Sequence, residues 1–394
     1  MTLLSVQNAD VRNKRVLVRV DFNVPLDGDA IRDDTRIRSA LPTINSLLQR
    51  GAAVILCSHL GRPKGTVEPK FSLAPVAAHL ETLVDAPVAF VRDVAGEQAA
   101  KAADQLQSGE ILLLENLRFE PGEEKNDPEL AQKLAGLADL YVNDAFGAAH
   151  RAHTSTEAVA LLLPAYAGSL MLAEVEALTR LKSQPREGFV AFIGGAKVSD
   201  KIAVLEALVP VIETLAIGGG MANTFLLESG VDVGTSLTEP DSVEVARRIR
   251  DLSTEHGTEL LLPTDLVVAD SIEATLGTTV PVGSIPADQA AFDIGPETTR
   301  RYADSARNAR TIFWNGPMGV FENQAFAAGT LSVAQAVADC SGYTLVGGGD
   351  SVAAVEAAGV ADRISHISTG GGASLEFVEG RTLPGIAALE RRSS

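Results

Sequence analysis

Near-continuous apolar runs alternate with helical patterns from one end of this chain to the other, and that alternation limits the folds open to it. "AAVILCS" (52–58), "ILLLEN" (111–116) and "DLYVND" (139–144) have almost no polar face. Strands that read this way are buried on both sides, as in parallel sheets covered by crossover helices. Between them, "FSLAPVAAHLETLV" places Leu73, Val76, Ala77, Leu80, Leu83 and Val84 on a helical stripe behind a Ser72 cap. The second half repeats the logic in "GFVAFIGG", "TLAIGGG", "ELLLPTDLVVAD", "TIFWNGP", "YTLVGGG" and "ISHISTGGG". The expected class is α/β: two doubly wound parallel-sheet (Rossmann-like) domains with right-handed crossovers. "LMLAEVEALTRLKSQPREG" (170–188) reads as one amphipathic helix closed by Gln184-Pro185. Domains therefore fall at 1–170 and 188–379, joined by an interdomain helix over 171–187 with hinge points at its ends.

One strand has a second character. In "RVLVRVDFNVP" (15–25), Val16, Val18, Val20, Phe22 and Val24 share a face, and Arg15, Leu17, Arg19, Asp21 and Asn23 share the other. Taken alone, this is a half-exposed strand with a solvated second face.

Charge narrows the function. The net charge is −18, with −5 in residues 1–170 and −13 in 171–394. So acidic a chain repels nucleic acid, and any small anion must be held by local cations and backbone amides. Cys57 and Cys340 are the only cysteines, which fits a reducing compartment. The N-terminus lacks a basic region followed by an apolar one, and no apolar run approaches the roughly 20 residues of a membrane span. A soluble cytoplasmic protein is expected.

Ligands of open parallel sheets bind outside the carboxyl ends of the strands. In the first half those ends carry cations: Asp21 and Asn23, then His59 and Arg62 in "HLGRPKG", Arg118 in "NLRFEPGEE", and His150, Arg151 and His153 in "AFGAAHRAHTS". Arg36 falls in the first turn of a helix, where unpaired amides already favour an anion. Arginine's planar fork matches carboxylate and phosphate oxygens. One small, highly anionic substrate is the reading, with Asp21 and Asn23 reaching a ligand hydroxyl or ordering the arginines. His59 serves either as a general base or to orient a substrate carboxylate. His150-x-x-His153 lacks a third patterned ligand and the glutamate of a zinc protease, so a metal there is disfavoured.

In the second half the strand ends carry glycine. "AFIGGAKVSDKIAVLEAL" runs strand, Gly194-Gly195, helix, with Lys197 and Lys201 expected one helical turn apart on one face. "AIGGGMANTF", "LVGGGDSVAAVEAAG" and "ISTGGGASLEF" repeat the strand–glycine–helix turn. Glycine lets backbone amides approach phosphate oxygens. With two lysines and Asp350 in these turns, they point to a nucleotide polyphosphate carrying Mg²⁺. The standard motifs fail: no Walker A sequence is present, Val352 stands where the dinucleotide fingerprint needs its third glycine, and the protein-kinase signatures are missing.

"VRVDFNVPL", "SHLGRP", "LLENLRF", "VNDAFGAAHRAH", "GGAKVSDKI", "IGGGMANTFL", "WNGPMGVFE", "GGGDS" and "STGGGASLEF" stand in the order of the phosphoglycerate kinase family, which the chain resembles from about residue 3 to 386. Ser351 departs slightly, the family more often having threonine. The resemblance implies a monomeric, hinge-bending glycolytic enzyme that moves a phosphoryl group reversibly from 1,3-bisphosphoglycerate to ADP, giving 3-phosphoglycerate and Mg-ATP. It implies that Asp21, Asn23, Arg36, His59, Arg62, Arg118 and Arg151 hold the glycerate. Lys201, Asn315, Glu322 and Gly348-Gly349-Asp350-Ser351 would hold the nucleotide with Gly195, Gly219 and Gly295, with Asp350 on Mg²⁺. Arg36, Lys197 and the amides around Gly371 and Gly372 would meet the in-flight phosphoryl group. The tail, 380–394, would pack back on the first domain. A non-catalytic anion or nucleotide binder is the rival reading; Lys197 and Asp350, which it does not need, argue against it.

Overall fold

The computed structural model describes residues 3–390. It forms two compact units, one holding residues up to Glu176 together with those from Thr382 on, the other Ala177–Arg381.

In the first unit the strands are β1 (Arg15–Arg19), β2 (Leu26–Asp27), β3 (Ala30–Ile31), β4 (Ala53–Cys57), β5 (Val88–Phe90), β6 (Ile111–Leu113), β7 (Leu140–Asn143) and β8 (Ala165–Ala167). β2 and β3 make a short antiparallel hairpin; the rest form one sheet in the order β5-β6-β4-β1-β7-β8, every pair parallel. From β1 the chain winds one way to β4, and from β7 the other way to β8. The crevice at this reversal lies beyond the ends of β1 and β7. β1 is central and short: it ends at Arg19, and Leu17 and Arg19 are as buried as Val16 and Val18. The solvated face expected for this strand is absent because helices cover both sides of the sheet.

The second unit holds β9 (Phe189–Ile193), β10 (Thr214–Ile217), β11 (Glu259–Leu261), β12 (Asp265–Ala269), β13 (Thr278–Pro281), β14 (Ala290–Ile294), β15 (Thr311–Asn315), β16 (Tyr343–Gly347) and β17 (His366–Ser368). The main sheet is parallel, ordered β11-β10-β9-β15-β16-β17, with its reversal at β9 and β15. One segment departs from expectation. "ELLLPTDLVVAD" is two strands broken around Pro263, and β12 leaves the parallel sheet to pair antiparallel with β13 and β14. Proline removes a ladder donor. Just beyond it, the Asp265 carboxylate accepts the Glu297 and Thr298 N–H groups at the start of the helix Pro296–Asn308.

Two helix starts also differ. The helix after Ser72 begins at Ala74, and the Glu115 carboxylate satisfies its entry, accepting from the Leu73 N–H at 2.9 Å and the Ser72 hydroxyl at 2.8 Å. The connecting helix spans Ser169–Lys182, and the boundary between units falls inside it. Its first amides are held by side chains: Thr43 accepts from Ser169, and Asp144 from Leu170 and Met171. The helix Pro384–Glu390 belongs to the first unit, where the Gly385 N–H donates to the Ala149 carbonyl; residues 391–394 of the tail lie outside the described residues.

Candidate active site

In the first unit, the loops after β1, β4, β6 and β7 bring the cations together. Arg36, in the first turn of the helix Thr35–Gln49, donates to both Asp21 carboxylate oxygens and to the Asn23 carbonyl, each at 3.2 Å. Asp21 and the Asn23 backbone therefore order Arg36, one of the two roles foreseen for them. The Asn23 side-chain oxygen accepts from the Gly61 N–H at 2.9 Å, tying the β1 loop to the β4 loop. Arg118 is 4% exposed; it donates to the Gly61 carbonyl at 2.6 Å and pairs with Glu124 at 3.1 Å. Arg151 is half-buried and donates to His150 Nε2 at 3.1 Å. Arg62 is exposed in the loop after β4.

His59 sits at the focus of these charges. It is buried, and its pKa falls well below the ordinary value, first through burial and then through the charges of Arg19, Arg118, Arg151 and Arg36. The ring is neutral at physiological pH. His153 is likewise pushed down, to about 4, by burial and then by the charges of Arg19, Arg118 and Arg151. A positively charged cradle around a neutral imidazole is able to attract an anion while offering one uncharged N–H donor.

Sequence reasoning missed Arg19, Ser155 and Glu123, buried beneath this set. The available signal was the position of Arg19 at the carboxyl end of a central parallel strand. The period-of-two reading assigned it to solvent instead.

In the second unit the glycine turns separate into two kinds. A Cβ on Gly194 would meet the Pro317 carbonyl at 2.0 Å, and one on Gly219 would meet the Gly195 carbonyl at 2.6 Å. These glycines let the loops after β9, β10 and β15 pack on one another. A Cβ on Gly195, Gly349, Gly371 or Gly372 would meet nothing within 4 Å, so these faces are open to a ligand. Gly348 has φ +93°, a conformation that favours glycine, and the Asn315 amide lies where its Cβ would go. Asn315 donates to the Gly347 carbonyl at 2.7 Å, the Ser351 hydroxyl accepts from the Gly316 N–H, and the Lys201 ammonium rests on the Asn315 side chain.

Lys201 is mostly buried and its pKa is lowered to about 8 by burial, against the opposing charges of Asp350 and Asp200. Lys197 is not one helical turn from it on a shared face. It lies exposed in the loop after β9, and the helix begins only after the turn Ser199–Lys201. The two glycines after Ile193 keep the chain irregular for longer than the lysine spacing implied.

Beside these turns is a cavity of about 290 Å³ lined by Gly195, Gly219, Leu237, Ile272, Ala291, Pro317, Glu322 and Asp350, among others. Its wall is largely apolar, and Leu237 and Ile272 are exposed. Gly295 is not part of it. That glycine caps the helix Pro296–Asn308 and packs on the Asp265 carboxylate, where a Cβ would come within 2.2 Å. Ala291, four residues earlier on β14, lines the cavity in its place. Asp350, exposed in the first turn of the helix Gly349–Ala357, offers one hard oxygen ligand. No group of three His, Cys, Asp or Glu gathers among the described residues to form a resident metal cage. A single carboxylate beside these glycine turns would suit a magnesium ion brought in with a polyphosphate better than a resident one.

The "Phosphoglycerate kinase" family model matches residues 6–381. A phosphoglycerate kinase of Moorella thermoacetica is 57% identical over 393 residues, covering 100% of both chains. One of Herpetosiphon aurantiacus is 56% identical over 391 residues, covering 99% of each. Among solved structures, phosphoglycerate kinase from Coxiella burnetii superposes with a TM-score of 0.90 at 42% identity over the whole of both chains. That from Pyrococcus horikoshii superposes with a TM-score of 0.88 at 34% identity over 99% of each. With an arginine-rich cradle in one unit and open glycine turns in the other, the chain belongs to the phosphoglycerate kinase family, whose members transfer phosphate reversibly between a carboxyl group and a nucleotide in glycolysis.

Proposed function

We propose that the first unit binds the glycerate substrate and the second the nucleotide, so that the phosphoryl group passes directly between them when the two substrates meet. The observation that carries this division is the convergence of the Arg36, Arg118 and Arg151 charges on His59 in a chain of net charge −18. Such a concentration of cations at the strand ends attracts a small anion. Arg62, Arg118 and Arg151 clamp the glycerate, Asp21 and Asn23 hold Arg36 in place, and neutral His59 donates to the substrate carboxylate. Gly348, Gly349 and Ser351 cradle the polyphosphate, Lys201 and Asn315 brace the turn, and the apolar cavity beside Glu322 takes the base and ribose. Gly195 lines the same cavity, while Gly219 shapes it by packing.

Arg36, Lys197 and the open amides around Gly371 and Gly372 stabilise the charge on the transferring group. An acyl phosphate is already a good donor, so positioning and charge neutralisation in a dry site carry catalysis without a phosphoenzyme. Magnesium, held through Asp350 with the nucleotide, would supply neutralisation of phosphate charge. The enzyme acts on small molecules as a cytoplasmic monomer, the state its family resemblance implies.

Calorimetric titration of 3-phosphoglycerate into the wild type, Arg118→Ala and Arg151→Ala tests the division. Each variant is expected to weaken binding about 10-fold or more, the scale of one charge-assisted hydrogen bond. Wild-type affinity in both would remove the glycerate from this cradle.

A further inference from the structure

Two buried charges of the first unit take no direct part in this set. Arg19 is 1% exposed and Glu123 is 0% exposed. Burying an ion is costly unless its charge is balanced and its hydrogen-bonding groups are filled, so such a pair needs a reason. Arg19 closes β1, while Glu123 lies in the single turn Glu123–Lys125. Ser155 stands between them. Its hydroxyl accepts from Arg19 Nε at 2.8 Å and donates to one Glu123 oxygen at 2.5 Å, and its N–H donates to the other at 3.0 Å. The Tyr141 hydroxyl pins the segment by donating to the Ser155 carbonyl at 2.7 Å. One terminal nitrogen of Arg19 donates to the Val20 carbonyl, and the other reaches His59 Nδ1 at 3.2 Å.

A guanidinium has donors and no acceptor. The nearest carboxylate, Asp21, lies 3.9 Å from His59 Nδ1, beyond hydrogen-bond reach, whereas Arg19 is at 3.2 Å; Nδ1 therefore presents its lone pair to the guanidinium, and in a neutral ring the proton resides on Nε2. We propose that Glu123, Ser155 and Arg19 form a buried relay that fixes His59 as the Nε2–H tautomer, making Arg19 and Glu123 positioning residues for the substrate site. The proposal rests on the reading of His59 as a donor to the glycerate. Glu123 balances the charge of Arg19, and Ser155 sets the plane of the fork. That plane aims the second terminal nitrogen at the imidazole. Without the relay, both tautomers become accessible, and the Nδ1–H form turns a lone pair instead of a proton toward the anion.

The tautomer is read directly from imidazole nitrogen shifts in the full chain with ¹⁵N-labelled histidine, free of ligand at neutral pH, beside steady-state kinetics. The wild type is expected to show His59 with an unprotonated Nδ1 and a protonated Nε2. Ser155→Ala cuts the relay while leaving both charges, and Arg19→Lys replaces the fork with a point charge that cannot hold Ser155 and His59 together. Both variants are expected to show mixed tautomers. Their KM for 3-phosphoglycerate is expected to rise about 10-fold, with the KM for nucleotide unchanged. Should Arg19→Lys fail to fold, Ser155→Ala alone decides. A wild-type His59 signature in Ser155→Ala overturns the relay. A disturbed signature with an unchanged 3-phosphoglycerate KM overturns the donor role of His59, and with it the positioning role of Arg19 and Glu123.

Discussion

Arg36 and Arg62 carry the same guanidinium in different settings. Arg36 is fixed at a helix start by Asp21 and the Asn23 carbonyl, whereas Arg62 projects from an exposed loop. A contact made equally in ground and transition states changes KM; one that strengthens as charge spreads over the transferring group changes kcat. Preorganisation by a part-buried partner such as Asp21 favours the second kind. Arg36→Ala is therefore expected to lower kcat by about 100-fold, the scale of losing one preorganised donor, with little effect on 3-phosphoglycerate affinity. Arg62→Ala is expected chiefly to weaken substrate binding. Arg36→Lys recovers little, because a point charge cannot replace the fork across Asp21. Near-normal kcat in Arg36→Ala at saturating substrate would move the catalytic role to Lys197. The residue scale also shows where pattern reading stops. Arg36, Arg118 and Arg151 were legible because strand ends and helix starts are local features. Arg19 was not, because alternation along a strand does not say which faces the rest of the chain will cover.

Among the elements, the helix Ser169–Lys182 depends most on side chains far from it in sequence. Asp144, at the end of β7, accepts two of its first amides. Burial raises the pKa of Asp144 from 3.8 to about 6, only partly opposed by its hydrogen bonds. A carboxyl whose folded pKa lies above its unfolded value binds its proton more tightly when folded. The stability it contributes is full below about pH 4, the unfolded value, and is lost as pH rises through about 6. Asp144→Asn keeps an acceptor oxygen for both amides and removes the charge. Denaturant unfolding across pH is expected to show the variant more stable than wild type at pH 7, by at most about 3 kcal/mol. The advantage should disappear near pH 4. Asp293, raised to about 7 by burial, keeps its own slope in both proteins. A variant that is less stable than wild type at pH 7 and matches it near pH 4 would show that the charged carboxylate is what holds the helix. The sequence located this helix as a connector. Its start could not be read, since Thr43 and Asp144 approach it through the tertiary fold.

On the scale of the whole molecule, the chain forms two compact units, each with its own core, and the proposed division gives each unit one ligand. Interactions without shared partners act additively. Asp350→Asn is expected to raise the Mg-nucleotide KM and lower turnover while leaving 3-phosphoglycerate affinity intact, and Arg62→Ala to do the reverse for the glycerate and leave ADP affinity intact. Calorimetry of both ligands on both variants measures the cross terms. An Asp350→Asn enzyme with unchanged Mg²⁺ dependence would make Asp350 a charge at the helix start and nothing more.

The sequence by itself determined the parallel α/β architecture and the connecting helix, and it put the cations and glycines at the strand ends. Apolar runs, turn glycines and cations at strand ends are written in neighbouring residues. Tertiary structure alone decided that Gly194 and Gly219 serve loop packing, that Ala291 lines the cavity where Gly295 does not, and that β12 leaves the main sheet. It also decided that His59 is neutral and that a buried Arg19 faces it. Each of these depends on what a residue meets across the fold. Burial, close approach and protonation are set by neighbours distant in sequence, and no local pattern carries them.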